Sequence, residues 1–208
     1  MQKLDLTKLY KSYYTAKTKP EIVEIEAANF LSIRGKGDPS GELFAEKIQA
    51  LYPVAYTIKF HFKPLGKDFT VAKLEGLWWF DEEKFTKFSM QEAPQKIPRS
   101  EWEYRLLIRL PEFVGEKDVK QAIEKVRAKK TVKYLDEVEF FEMEEGKCVQ
   151  MLHVGSFDKE PESLEKIMQF CEENKLDKNG LHHEIYLSDF RKAAPEKLKT
   201  ILREPVKA

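Results

Sequence analysis

Read for hydrophobic period, the chain divides into short alternating runs and a few helical faces. Residues 22–26 and 29–34 alternate apolar with polar positions and are followed by Gly35 and Gly37, which predicts two strands forming a β-hairpin and then a glycine turn. Asp38, Pro39 and Ser40 read as a helix start, and Phe44, Ile48 and Leu51 then recur at i, i+4 and i+7 on one apolar face. Tyr52 and Pro53 are expected to end that helix. Alternation returns over 55–63 (AYTIKFHFK), 71–80 (VAKLEGLWWF) and 102–110 (WEYRLLIRL), read as three strands; the last places Trp102, Tyr104, Leu106, Ile108 and Leu110 on one face. The polar stretch 82–99, with Pro94 and Pro98, reads as a loop, and a helix near 116–130 carries Val119, Ala122, Ile123 and Val126 on one side.

The second half repeats the first. VEFFEMEEGKCVQMLHVGSFDKEPESLEKIMQF echoes EIVEIEAANFLSIRGKGDPSGELFAEKIQAL: strand pair, turn glycine (Gly155 against Gly35) and helix (Glu165, Lys166, Ile167 against Glu46, Lys47, Ile48) recur about 120 residues apart. Leu164, Ile167, Met168 and Cys171 form the face of the second helix, and strands follow at 181–187 and near 200–204. The expected organisation is an N-terminal extension, 1–20, lying on one domain, 21–208, of two repeats (about 21–114 and 137–206) joined by the helix near 116–130. The fold class is α+β: a pseudo-twofold duplicated βαββ unit with a mainly antiparallel sheet and helices on one face. Where the sheets of the two halves meet, a central cleft is the expected small-molecule site.

Composition narrows the partners. Lys plus Arg and Asp plus Glu both number 36 in 208 residues, so there is no basic field to draw affinity from phosphates, and direct nucleic-acid binding is not expected. Cys148 and Cys171 are 23 residues apart with no Cys or His partners at ligand spacing, which indicates neither a disulfide framework nor a metal site. No apolar run has the length of a signal peptide or a membrane span, so a cytoplasmic protein is expected.

The strand LHHEIYL carries the most chemistry. Period-2 alternation puts His182, Glu184 and Tyr186 on one face and His183, Ile185 and Leu187 on the other; with Ile185 and Leu187 packed under the helices, Glu184 faces the cleft. A carboxylate among aromatic rings loses solvation, which suits it to proton transfer or to pairing with a cationic ligand. Tyr56, Trp78, Trp79, Trp102 and Tyr104 are the candidate stacking surface, and since Trp78 and Trp79 alternate, only one of them can line a given pocket. His182 and His183 point to opposite faces, and Cys148 has no neighbouring base in sequence, so neither metal nor thiol chemistry is indicated.

The segment HHEIYLSDFRKAAPEKLKTILREPV (182–206), with EGLWWF (75–80) and WEYRLLIRLPEFV (102–114), resembles the GyrI-like small-molecule-binding domains, over about residues 20–206. The resemblance implies a cleft for hydrophobic, often aromatic or cationic molecules, with a buried glutamate on a late strand that Glu184 matches. Stand-alone members of this kind include hydrolases that add water to the strained cyclopropane of DNA-alkylating natural products, without cofactor. On that pattern Glu184 would activate water, Tyr186 would donate a hydrogen bond, a Trp among Trp78, Trp79 and Trp102 would be the stacking wall, and Tyr56, Tyr104 and His182 would complete the ligand site. The alternative is a non-catalytic binder that sequesters drugs or signals to an unidentified protein partner, as transcription effector domains and gyrase inhibitors of the family do. The 20 residues before the repeats are too few for a DNA-binding helix-turn-helix, so direct transcriptional regulation is not expected.

Overall fold

The structure, a computed structural model, describes residues 3–85, 92–190 and 192–208. Two single-turn helices, α1 (Leu6–Leu9) and α2 (Lys11–Tyr14), precede the strands β1 (Glu21–Ile25) and β2 (Ala28–Lys36), the long helix α3 (Glu42–Phe62) and β3 (Leu74–Trp79). A short turn of helix, α4 (Ala93–Lys96), then β4 (Glu103–Arg109) and α5 (Glu116–Arg127) complete the first half. The second half contains β5 (Glu139–Met143), β6 (Gly146–Val154), α6 (Glu160–Glu173), the two-residue β7 (Asp177–Lys178), β8 (His182–Tyr186) and β9 (Lys199–Lys207). The loop expected over 82–99 thus holds α4 and a 3-10 turn at Arg99–Glu101; residues 86–91 of it lie outside the described residues.

The main sheet runs β1-β6-β9-β8-β3-β4-β2-β5, with β7 added against β9, and every ladder is antiparallel. Exchanging the halves maps β1, β2, β3 and β4 onto β5, β6, β8 and β9 and returns the same order, so the pseudo-twofold axis passes between β8 and β3. This is the α+β fold that the duplicated pattern predicts.

The pairing corrects one expectation. β1 and β2 do not form a hairpin: β1 pairs with β6, and β2 with β5 and β4. The register of the first ladder, ending at Ile25↔Gly146, resumes unchanged at Ala28↔Met143. The two alternating runs of each half are therefore one long strand, broken at 26–27 or 144–145, that pairs with its counterpart in the other half. The halves interlock rather than lie side by side. Alternation reports which face a residue takes; it carries no information about which strand is the neighbour.

A second correction concerns 55–63, which is helical. The apolar stripe Phe44, Ile48, Leu51, Ala55, Ile58, Phe62 continues in register through Pro53, and all six side chains are buried. Proline inside a helix loses one hydrogen bond and costs about 3 kcal/mol. Burial of each large apolar side chain contributes about 1.5–3 kcal/mol, so the stripe outweighs the proline. The strand-like alternation of AYTIKFHFK arises because Tyr56 and Phe60 are aromatic yet exposed on the helix, while Lys59 is polar yet buried, bonded to Asp68 and to the Phe69 carbonyl.

Helix α3 packs on β2 and β4, and α6 on β6 and β9, leaving the central pair β3 and β8 between them on the same face. The opposite face is covered by the N-terminal segment, which buries Leu6, Tyr13 and Tyr14.

Candidate functional site

The register brings Trp78 opposite His182 and Gly76 opposite Glu184, so these residues share the helix-bearing face of the sheet with Tyr186. Leu202, opposite Glu184 on β9, packs with Leu164 and Ile167 of α6. Glu184 therefore lies on the floor of the cleft between α3 and α6. The route differs from the expected one: Ile185 does not pack under the helices but faces the other way, towards the N-terminal segment, pairing with Glu75 and Ile201.

The polar groups on this floor form a chain. The Trp78 indole N–H donates to the Tyr186 hydroxyl at 3.0 Å, and that hydroxyl, its single proton thereby directed onward, donates to Glu184 Oε2 at 2.7 Å. Glu184 Oε1 lies 3.4 Å from His182 Nε2, and His182 Nδ1 is bonded to Glu204 Oε1 at 2.5 Å. Gly76 makes the chain possible. A Cβ there would stand 2.8 Å from the Trp78 indole nitrogen and 3.0 Å from the Tyr186 oxygen. Glu184 keeps 13% of its side-chain exposure, whereas His182 keeps 3%.

A second carboxyl comes from the first turn of α6. Glu160 is buried, and its Oε1 has no hydrogen-bond partner among the described residues. Burial first, and the charge of Glu184 second, push Glu160 well above the ordinary carboxyl range, which favours its protonated form. For His182 burial, the largest single influence, acts downward, but Glu204 and Glu184 outweigh it and hold the imidazole up at about 10. Burial and the charge of Glu184 likewise push the Tyr186 hydroxyl well up. The cleft thus presents Glu184, held by the Tyr186 hydroxyl, near the buried carboxyl of Glu160 and a cationic His182 shared with Glu204. A carboxyl group that holds its proton tightly beside a second, partly solvent-open carboxyl group is an arrangement suited to paired acid and base work.

Aromatic rings set the shape. Phe157, Tyr186 and Phe190 meet edge to face at centroid distances of 6.0, 6.0 and 6.1 Å, and Phe44 stacks on Trp78 at 5.8 Å. Of the aromatic residues expected to bind ligand, Trp78 is on the cleft face beside Tyr186. Trp102 and Tyr104 stand behind it, buried, at 6.4 and 5.5 Å, and the Tyr104 ring lies across Gly35, where a Cβ would meet it at 2.3 Å. Trp79 is on the opposite face, its indole donating to Glu103. Tyr56, expected on a strand, is on α3 and 45% exposed, lining a groove of about 1010 Å³ whose inner end reaches Tyr186 and Phe190.

Two groups were not legible in the sequence. Glu160, Phe157 and Phe190 enter the cleft from other elements, and no local pattern marks them. On the far face of β3 and β8 a sealed cluster joins Glu75, His183, Glu145, Arg203 and Gln150 to the N-terminal segment. Both ring nitrogens of His183 meet carboxylates, Glu145 at 2.9 Å and Glu75 at 3.1 Å, while Glu75 also accepts from Tyr13 at 2.5 Å and from Tyr14 at 3.2 Å. Arg203 donates to Glu145, to Gln150 and to the Tyr13 carbonyl. Glu75 stands in an otherwise apolar run, the one hint of a paired buried charge. Among the described residues, no group of His, Cys, Asp or Glu is placed to hold a metal ion, and no helix is long and apolar enough to cross a membrane.

The family model for the GyrI-like small molecule binding domain matches residues 18–207. The chain belongs to the GyrI-like family. As a GyrI-like protein it is similar, at 41% identity and a TM-score of 0.88 over 99% of this chain and 100% of the other, to an uncharacterised conserved protein from Listeria innocua. A hydrolase from Listeria innocua is 40% identical, with a TM-score of 0.83 over the same shares. The C-terminal domain of EcmrR shares the fold of this GyrI-like chain, with a TM-score of 0.54 and 14% identity over 91% of this chain and 97% of that one. No curated protein matches the chain.

Proposed function

We propose that this GyrI-like small-molecule-binding protein is a hydrolase that adds water to electrophilic xenobiotics, cyclopropanoid DNA-alkylating compounds in particular. One observation carries the reading: Glu184, partly open to solvent and held by the Tyr186 hydroxyl, stands near the buried Glu160, whose hold on its proton is strengthened, on the floor of an aromatic cleft. The similarity to a Listeria hydrolase along the whole chain supports it.

The chemistry follows from those roles. Water held by Glu184 attacks the less hindered cyclopropane carbon as Glu184 takes its proton. The strained carbon–carbon bond breaks, and its electron pair moves through the conjugated system to the carbonyl oxygen, which takes a proton from Glu160, while the Tyr186 hydroxyl holds Glu184 in place. One molecule of water is added, and the reaction needs neither oxidant nor metal. General acid–base assistance of this kind is worth about 10²–10⁴-fold. Trp78, itself buried under Phe44 and bonded to Tyr186, backs the aromatic floor and fixes the position of Tyr186 and, through it, Glu184.

The test is a mass-spectrometric turnover assay with a cyclopropanoid alkylator. The wild type is expected to give many equivalents of the water adduct, Glu184→Gln to lose about 10²-fold or more in rate while keeping affinity, and Trp78→Ala to lose affinity. Unchanged ligand, or one adduct per protein, overturns the hydrolase and leaves a binding protein that sequesters the compound.

A further inference from the structure

The aromatic floor does not end at Tyr186. On α3, Tyr52, Tyr56 and Phe60 follow one another at i, i+4 and i+8, with ring centroids 6.5 and 6.2 Å apart and planes tilted by only 32° and 29°. Single exposed aromatic residues need no explanation. Here Tyr56 is 45% and Phe60 59% exposed, in one continuous ladder whose first two rings line the groove of about 1010 Å³, the size of a drug-binding site.

The charges around that groove are unbalanced. Four lysines, Lys73, Lys130, Lys133 and Lys192, line it against two carboxylates, Glu46 and Asp189. Lys133 is paired with Glu46, and Lys192 with Asp189 at 3.7 Å. Lys73 and Lys130 have no carboxylate partner among the described residues. The groove is thus cationic and flat-walled, opposite in sign to the floor at Glu184, to which Tyr186 connects it directly.

We propose that this groove is a second binding subsite, taking a flat aromatic group that bears an anionic substituent such as a sulfonate or carboxylate. It deepens the hydrolase reading, on which it rests for the identity of the other end of the ligand: the substrate is then an elongated molecule with its electrophilic head at Glu184 and an aromatic, anionic tail between α3 and Lys73 and Lys130. Binding of the tail alone requires no turnover.

The experiment is a fluorescence titration of the full chain with 1-pyrenesulfonate at low ionic strength, alongside the neutral 1-pyrenemethanol. Saturable one-to-one binding is expected. Tyr56→Ala and the double change Lys73→Glu with Lys130→Glu should each weaken it at least tenfold, and Tyr56→Phe and Glu184→Gln should leave it unchanged. The neutral probe should bind about tenfold more weakly and ignore the lysine changes. All these side chains outside the cleft are exposed, so folding is not at stake; near-ultraviolet circular dichroism verifies it. Absence of saturable binding, indifference to the Tyr56 and lysine variants, equal affinity for both probes, or loss of binding in Glu184→Gln alone each overturns the subsite. This binding pattern in a protein that turns over no cyclopropanoid upholds the subsite while the hydrolase reading falls.

Discussion

The two faces of the central pair β3 and β8 carry the same residue types and opposite designs. One face carries His182 and Glu184, both on β8; the other carries His183, the next residue of β8, and Glu75 of the neighbouring β3. On the sealed face the cluster is knit together: Glu75 accepts from two tyrosines and meets a ring nitrogen of His183, and Arg203, fully buried, is bonded through all three of its nitrogens. On the cleft face Glu184 keeps part of its surface open and Glu160 keeps an oxygen with no partner among the described residues. A buried ionic group whose bonds are complete holds the fold together, while one left incomplete is available to a ligand. What distinguishes the faces is the cover. The N-terminal segment closes one, whereas α3 and α6 stand apart over the other.

The comparison can be broken most severely at Arg203. Arg203→Met removes the cation from buried Glu145 and strips the donors from Gln150 and the Tyr13 carbonyl; breaking such a pair costs about 3–5 kcal/mol. Urea unfolding should show a midpoint lowered accordingly. A variant as stable as the wild type would mean that the sealed network is not what fastens the N-terminal segment.

Acidity should separate the faces next. Burial pushes Glu145 upward, but His183 and Arg203 outweigh it and hold the carboxyl at about 2, below its ordinary 4.5. A depressed carboxyl contributes stability that is present above pH 4.5 and is lost as pH falls towards 2, on the order of 3 kcal/mol for this shift. His182 and His183 are raised, so their contribution is complete below pH 6.5 and is lost as pH rises, for His182 towards about 10. Urea midpoints between pH 3 and pH 9 should therefore form a plateau from about 4.5 to 6.5 and fall on both sides. A flat alkaline limb would show that the two histidines are not held as cations.

The smallest of these effects sharpens the contrast. Tyr13→Phe deletes one charge-assisted donor to Glu75, leaving Tyr14 and His183, and should lower stability by about 1–3 kcal/mol, read from the same urea midpoints. Glu184→Gln, which touches only the open face, should change stability less than Tyr13→Phe does. The reverse order would make the cleft the structural face.

Much of the frame was legible in the chain. Alternation placed His182, Glu184 and Tyr186 on one face and His183 and Ile185 on the other, and it separated Trp78 from Trp79. The spacing of the two repeats announced the duplication. Pairing was not legible, because the residues between β1 and β2, and between β5 and β6, are as short as a hairpin turn although the chain continues there as one broken strand. The helix through Pro53 is not legible locally, because the proline is a strong breaker within its own window and only the six-residue stripe running past it overrides it. Glu160 and Phe157 reach the cleft from α6 and the turn before it, which only packing brings near β8.

By itself the sequence determined which face each residue of a strand takes, the duplication and the kind of fold, since these follow from side-chain period, burial and repeated pattern along one segment. The tertiary structure alone decided which face is covered, which strands are neighbours, and therefore which of two adjacent glutamate and histidine pairs is sealed and which is open. Those properties depend on groups tens to more than a hundred residues apart meeting in space, and the free energy of a buried charge is set by whichever of them arrives to satisfy it.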